Sequence, residues 1–302
     1  MSPLAAGELR GVLLRAWTGV LCISFSAIFV RLSEVPAVQS AFWRTGYAAI
    51  FLAIVALARR ERLADLFFPG TLVAGMLLGA DFLAWHGSIV RIGAGLATVL
   101  PNLQLVGVGI LGIFVFRERP RLLFWLGVPV VFAGVWLLGV VGRPVAQGAS
   151  VPLGVLLGVV TALFYTAYLL TLRWARLRRP ALSTLAVVAS LTFGAALVTG
   201  IGAVVDGVAA VPEGLEANLW LLCLALGSHV GGWLLLASSI HRIPAALTSV
   251  TLLLQPVLSI LWGALLLAEP IGWSQIAGAA IVLSGVAVAH QGAARPAPAG
   301  GE

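Results

Sequence analysis

The sequence predicts an all-α integral membrane protein of ten transmembrane helices, arranged as two inverted five-helix repeats. Three observations carry the prediction: too little charge for a water-facing surface, ten charge-poor runs of bilayer length, and a second half that repeats the first.

Of the 302 residues, 61% are apolar and 10% charged, and the mean hydropathy is +1.08. Soluble domains carry about 25% charged residues, so most of this surface meets lipid. At about 20 apolar residues per crossing, the length holds roughly ten spans and no large soluble domain. The net charge of +7 comes from arginine alone. These arginines lie between apolar runs and form no concentrated patch, which excludes a nucleic-acid partner. Cys22 and Cys223 each fall inside an apolar run, where a thiol packs as a small hydrophobe. No disulfide framework, metal site or cofactor is expected.

The first run, Val12–Leu32, has no small-residue cleavage site and leads at once into another span, so it reads as a retained anchor. Pro36–Ala58 follows and carries Arg44. Thr71–Val90 carries Asp81, Trp85 and His86, and Ala94–Phe116 carries Pro101, Asn102 and Gln104. The glycine-rich Leu122–Val141 closes a first repeat over residues 12–141. Pro152–Leu172, with Tyr165 and Tyr168, opens a second over 152–290. It continues through Leu182–Val205, Asn218–Ile240 with His229 and Trp233, Ala245–Ala268 with Gln255, and Ile271–His290. Residues 291–302, rich in Ala, Pro and Gly, read as a disordered cytoplasmic tail. Continuous apolarity within each run selects helices over the alternating strands of a barrel.

With the N-terminus inside, fourteen arginines collect on the cytoplasmic side, while Arg31, Arg91 and Arg143 alone lie opposite. The positive-inside bias therefore puts both termini in the cytoplasm. The repeat emerges when Ser88–Gly134 is laid on Ser239–Gly285, an offset of 151 residues. Arg91 then meets Arg242, Gln104 meets Gln255, Glu118 meets Glu269, and Gly127 and Gly134 meet Gly278 and Gly285. Apolar matches come cheaply in such a chain, but matched Arg, Gln and Glu do not. An odd number of spans per half inverts the second copy, the arrangement on which alternating access rests in many secondary transporters.

Ala94-Gly95-Leu96 to Gln104 and then Phe116-Arg117-Glu118-Arg119-Pro120 recurs as Ala245-Ala246-Leu247 to Gln255-Pro256 and then Ala268-Glu269-Pro270. On this duplicated pattern, over roughly residues 12–290, the chain resembles the drug/metabolite transporter superfamily, in particular its ten-span members with two EamA-type domains. The resemblance implies export or exchange of a small metabolite or drug-like solute across the inner membrane. One departure is Gly93, which stands where the second half has Pro244.

Polar residues within spans are costly in hydrocarbon and so mark candidate substrate-binding positions. Arg44, Asp81 and His86 lie deepest, and a pairing of Asp81 with Arg44 is expected. Asp81 and Trp85 share a helix face, whereas Asp81 and His86 diverge by about 140°. Asn102, Gln104 and Gln255 sit beside Pro101 and Pro256, where a kink and a freed carbonyl are expected. Their amides serve either those carbonyls or a ligand. His229 with Trp233, and Tyr165 with Tyr168, complete the candidates. Glu118 and Glu269 read as structural helix-end carboxylates, and Trp125, Trp220 and Trp273 as interfacial anchors.

No zinc-binding His pair, phosphate loop or Cys-x-x-Cys is present, so an enzyme is not expected. The expected partners are a small-molecule solute and the lipid bilayer, with a coupling ion where transport runs uphill. Two rival readings use the same fold: a passive channel, and a non-transporting receptor or assembly partner.

Overall fold

In lipid a backbone must satisfy its own hydrogen bonds, so long apolar runs become helices. The computed structural model describes residues 6–116, 120–141, 150–239, 245–269 and 272–292, which are mostly helical with no strand among them. The helices of the first half are α1 (Ala6–Ser24), α2 (Ser26–Leu32), α3 (Ala37–Ala58), the short α4 (Leu63–Leu66), α5 (Pro69–Ile92) and α6 (Ala94–Val99). A 3-10 turn over Leu100–Leu103 then leads into α7 (Gln104–Phe116), and α8 (Leu122–Val141) follows. The second half holds α9 (Val151–Arg178), α10 (Thr184–Val205) and α11 (Leu215–Leu222), then a π-helical stretch over Cys223–Gly232 and α12 (Trp233–Ser239). It ends with α13 (Ala245–Leu266) and α14 (Trp273–Gly292). Glu118, Arg143, Arg242, Pro244 and most of the tail lie outside the described residues.

Among the described residues seven helical segments are long and apolar enough to cross a membrane, and they coincide with the first four and the sixth to eighth expected spans. The fifth, ninth and tenth expected spans coincide with the shorter apolar stretches Leu122–Leu137, Leu254–Leu266 and Ile276–Ala289.

Several expected rods are interrupted. The first divides at Phe25, where Ser24 turns its carbonyl to the Ser259 hydroxyl (3.0 Å) and its own hydroxyl accepts from Trp262 Nε1 (3.0 Å). The fourth narrows to 3-10 geometry at Pro101, which has no N–H for an α-helical bond. Pro256, where the sequence predicts a kink, lies inside α13, which continues through it. Pro129 inside α8 behaves in the same way. The eighth span widens into π geometry, a form concentrated at functional sites.

With the expected spans numbered one to ten, the packed pairs include five with ten (α8 and α14), four with nine (α6 and α13) and two with seven (α3 and α10). Three packs on six and seven (α5 on α9 and α10), while eight packs on one and two. Exchanging each span for its counterpart five places away returns the same pairs. Most neighbours therefore come from opposite halves. The repeated glycines explain the close contact of α8 with α14. A Cβ built on Gly127 would lie 2.7 Å from the Gly285 carbonyl oxygen, and one on Gly134 would lie 3.0 Å from that of Gly278. Small residues let the two backbones touch, the common device where lipid supplies no hydrophobic drive between helices.

Candidate functional site

The helices enclose a cavity of about 150 Å³. It is lined by Ile23 and Ser26 from the first span, Arg44 from α3, and Asp81, Phe82 and Trp85 from α5. Thr98, Pro101, Asn102 and Gln104 come from the fourth span, Thr161 and Tyr165 from α9, Trp233 and Leu236 from α12, and Leu252 and Gln255 from α13. Both halves thus contribute. The volume lies below the ~300–1,000 Å³ of pockets for drug-sized ligands.

Eight candidates meet here: Arg44, Asp81, Trp85, Asn102, Gln104, Tyr165, Trp233 and Gln255. Arg44 and Asp81 are 2% and 5% exposed. The expected pairing of Arg44 with Asp81 is not made as a direct ion pair. The Arg44 guanidinium instead lies over the Phe82 ring, 3.9 Å from its centroid, with Trp85 at 5.4 Å. Arg44 Nε and Nη1, Asp81 Oδ1, Ser26 Oγ and Thr161 Oγ1 are buried without a hydrogen-bond partner among the described residues. Buried polar groups are paired in the great majority of cases. Five such atoms around one cavity are a capacity to bind something polar.

The proline at 101 organises the wall. Lacking an N–H, it cannot bond the Ala97 carbonyl one turn back, and Trp85 Nε1 donates there instead at 3.1 Å. Asn102 Nδ2 donates to the Thr98 and Val99 carbonyls, both at 3.0 Å, so this amide serves the backbone. Thr166 Oγ1 reaches the Gln104 carbonyl at 3.3 Å.

His86, Tyr168 and His229 stand behind the wall. His86 Nδ1 meets Ser40 Oγ at 2.7 Å, and that hydroxyl also bonds the Ala37 carbonyl. This follows from the angular divergence of Asp81 and His86 along α5. His229 Nε2 meets Thr192 Oγ1 at 3.0 Å. Of the His229/Trp233 pair, Trp233 lines the cavity and His229 does not. Tyr165 and Tyr168 stack at 5.4 Å, the first on the cavity and the second packed against Trp233.

Ser26, Thr98 and Thr161 were not legible as site residues. Hydroxyls in membrane helices ordinarily bond a carbonyl one turn back, as Thr98 does to Ala94 at 2.7 Å, and nothing in sequence distinguishes the two that do not.

Glu269 differs from the expectation of a carboxylate serving its own helix end. It is buried, and its Oε1 accepts the Ala94 backbone N–H of the opposite half at 2.8 Å, with Arg31 Nε at 4.0 Å. Ala268, at φ +49°, turns the chain to aim it, a left-handed conformation that costs about 1–2 kcal/mol. Burial raises the Glu269 carboxyl above its ordinary range, while the Ala94 and Gly95 amides and Arg31 pull it back.

The sequence profile described as the EamA-like transporter family matches residues 10–140 and 152–290. One solved structure, described only as a crystal structure of protein, aligns over 93% of this chain and 96% of its own, with a TM-score of 0.63 and 20% sequence identity. At that identity the likeness is one of fold. Among curated proteins, none matches.

Proposed function

The chain belongs to the EamA-like transporter family, within the drug/metabolite transporter superfamily, and from that premise we propose that it is a secondary transporter of a small zwitterionic or amphipathic metabolite. The seven long helices and three shorter apolar stretches act as ten spans. Residues 12–141 and 152–290 form two inverted repeats, with both termini and the tail in the cytoplasm of a cell bounded by this inner membrane. The exchange symmetry of the helix neighbours supports the repeat, and the arginine distribution supports the orientation.

The observation that carries the proposal is a buried cation and a buried anion, Arg44 and Asp81, facing one cavity without bonding each other. A zwitterion places its anionic group on the guanidinium and its cationic group near the carboxylate, and each contact repays desolvation on both sides. Phe82, Trp85 and Tyr165 supply the apolar surface for the rest of the solute. Rocking of the halves then exposes the cavity on alternate sides, for export or exchange.

Purified protein in liposomes tests this. The thermal-shift hits among amino acids and other small zwitterions are expected to be carried, and solute preloaded on one side to accelerate uptake from the other. Flux without that acceleration would establish a channel, and binding without flux a receptor.

A further inference from the structure

We propose that Glu269 is a positioning residue of the transport cycle, a latch that holds the two halves together at the end of the cavity marked by Ala94 and thereby closes that face. The inference rests on the alternating-access reading and deepens it.

The latch joins parts that must separate if that face is to open. Glu269 lies between α13 and α14 of the second half, while its acceptor contact is to the first backbone N–H of α6 in the first. Arg31, at the end of α2, approaches from a third side. The carboxylate sits close against two glycines: a Cβ built on Gly93 would lie 2.6 Å from Glu269 Oε2, and one on Gly263 equally 2.6 Å, so a side chain at either would push the carboxylate aside. Gly93 also takes φ +88°, which a side chain disfavours. A second contact seals the same region, because a Cβ on Gly95 would fall 2.8 Å from Ile260 Cα. The sequence departure at Gly93, which no binding role explains, is what this carboxylate requires.

A capping carboxylate within one half would survive rocking of the halves. This one joins a segment of each half at that face, so opening of the face between them breaks its bond. It therefore biases the equilibrium toward closure of the Ala94 face.

The test is side-specific labelling without solute. Ser26→Cys, in a Cys22→Ala/Cys223→Ala background, places one thiol on the cavity, and a membrane-impermeant maleimide is applied to vesicles of each orientation. Glu269→Ala is expected to raise labelling from the Ala94 face about tenfold, the effect of one charge-assisted hydrogen bond on a two-state equilibrium. Labelling from the opposite face should fall or hold. Gly93→Ala should act in the same direction, and Glu269→Gln, which keeps an acceptor oxygen, should act less. These two decide the matter if Glu269→Ala does not fold. Unchanged labelling in the folded variants, or an equal rise from both faces, would overturn the latch. Solute flux of the parent is read separately, so failure of the transport reading leaves the labelling result distinguishable.

Discussion

Replacing Arg44 by Gln and Asp81 by Asn, singly and together, tests whether the two charges act as a unit. Both are nearly fully buried. No Arg44 nitrogen lies within 4.0 Å of an Asp81 oxygen. At an effective dielectric of about 20 their attraction is therefore below ~4 kcal/mol. Breaking a directly bonded buried pair costs about 3–5 kcal/mol. With the charges separated across a cavity that admits water, about 1–3 kcal/mol is expected for each single change. Arg44→Gln should be the costlier, because it also removes the guanidinium from the Phe82 face, a contact worth about 0.5–2 kcal/mol. The double variant leaves no lone charge and should be more stable than the two losses summed by about 1–3 kcal/mol. Thermal unfolding of the four purified proteins without solute reads the cycle. Additivity within about 0.5 kcal/mol would refute the coupling, and with it the reason for reading the two residues as one dipolar site.

Further outcomes follow from other contacts. Trp85→Phe keeps an aromatic wall but leaves the Ala97 carbonyl unpaired, for an expected loss of about 1–3 kcal/mol in unfolding measurements; an unchanged stability would show that the bond is dispensable. Gly134→Val puts side-chain atoms into the α8–α14 contact and should destabilise by about 1–3 kcal/mol or more, whereas Gly11→Ala, with nothing within 4 Å of its Cβ, should have little effect. Because burial raises the Glu269 carboxyl, the folded protein holds a proton that the unfolded chain has already released. Its contribution to stability is thus fully present below the ordinary carboxyl range and is lost as pH rises through the raised value. Glu269→Gln should flatten that part of the profile of unfolding against pH, and an identical slope in both proteins would exclude the residue as its source.

Charge distribution made the helices legible, since arginine-rich gaps delimit runs whose apolarity has no other solvent than lipid. The repeated Gly127/Gly134 and Gly278/Gly285 likewise declared a close contact, although only the structure shows the two pairs meeting each other. Several polar positions were legible for the same reason that they are costly: Arg44 and Asp81 stand out against hydrocarbon, and both reach the cavity. The π stretch was not, because its i→i+5 bonding leaves no compositional mark. Ser26 and Thr161 carry no such mark either. Whether a hydroxyl bonds its own helix or faces a cavity depends on which neighbour covers it.

By itself, then, the sequence determined the solvent, the helical class and the duplicated plan, because hydropathy and spacing act along the chain and need no partner. Tertiary structure alone decided which polar atoms remain unpaired, that Arg44 rests on Phe82 and not on Asp81, and that Glu269 caps a helix of the opposite half. Those outcomes depend on contacts between segments as far apart as Ala94 and Glu269, and a one-dimensional pattern does not specify the distance between them.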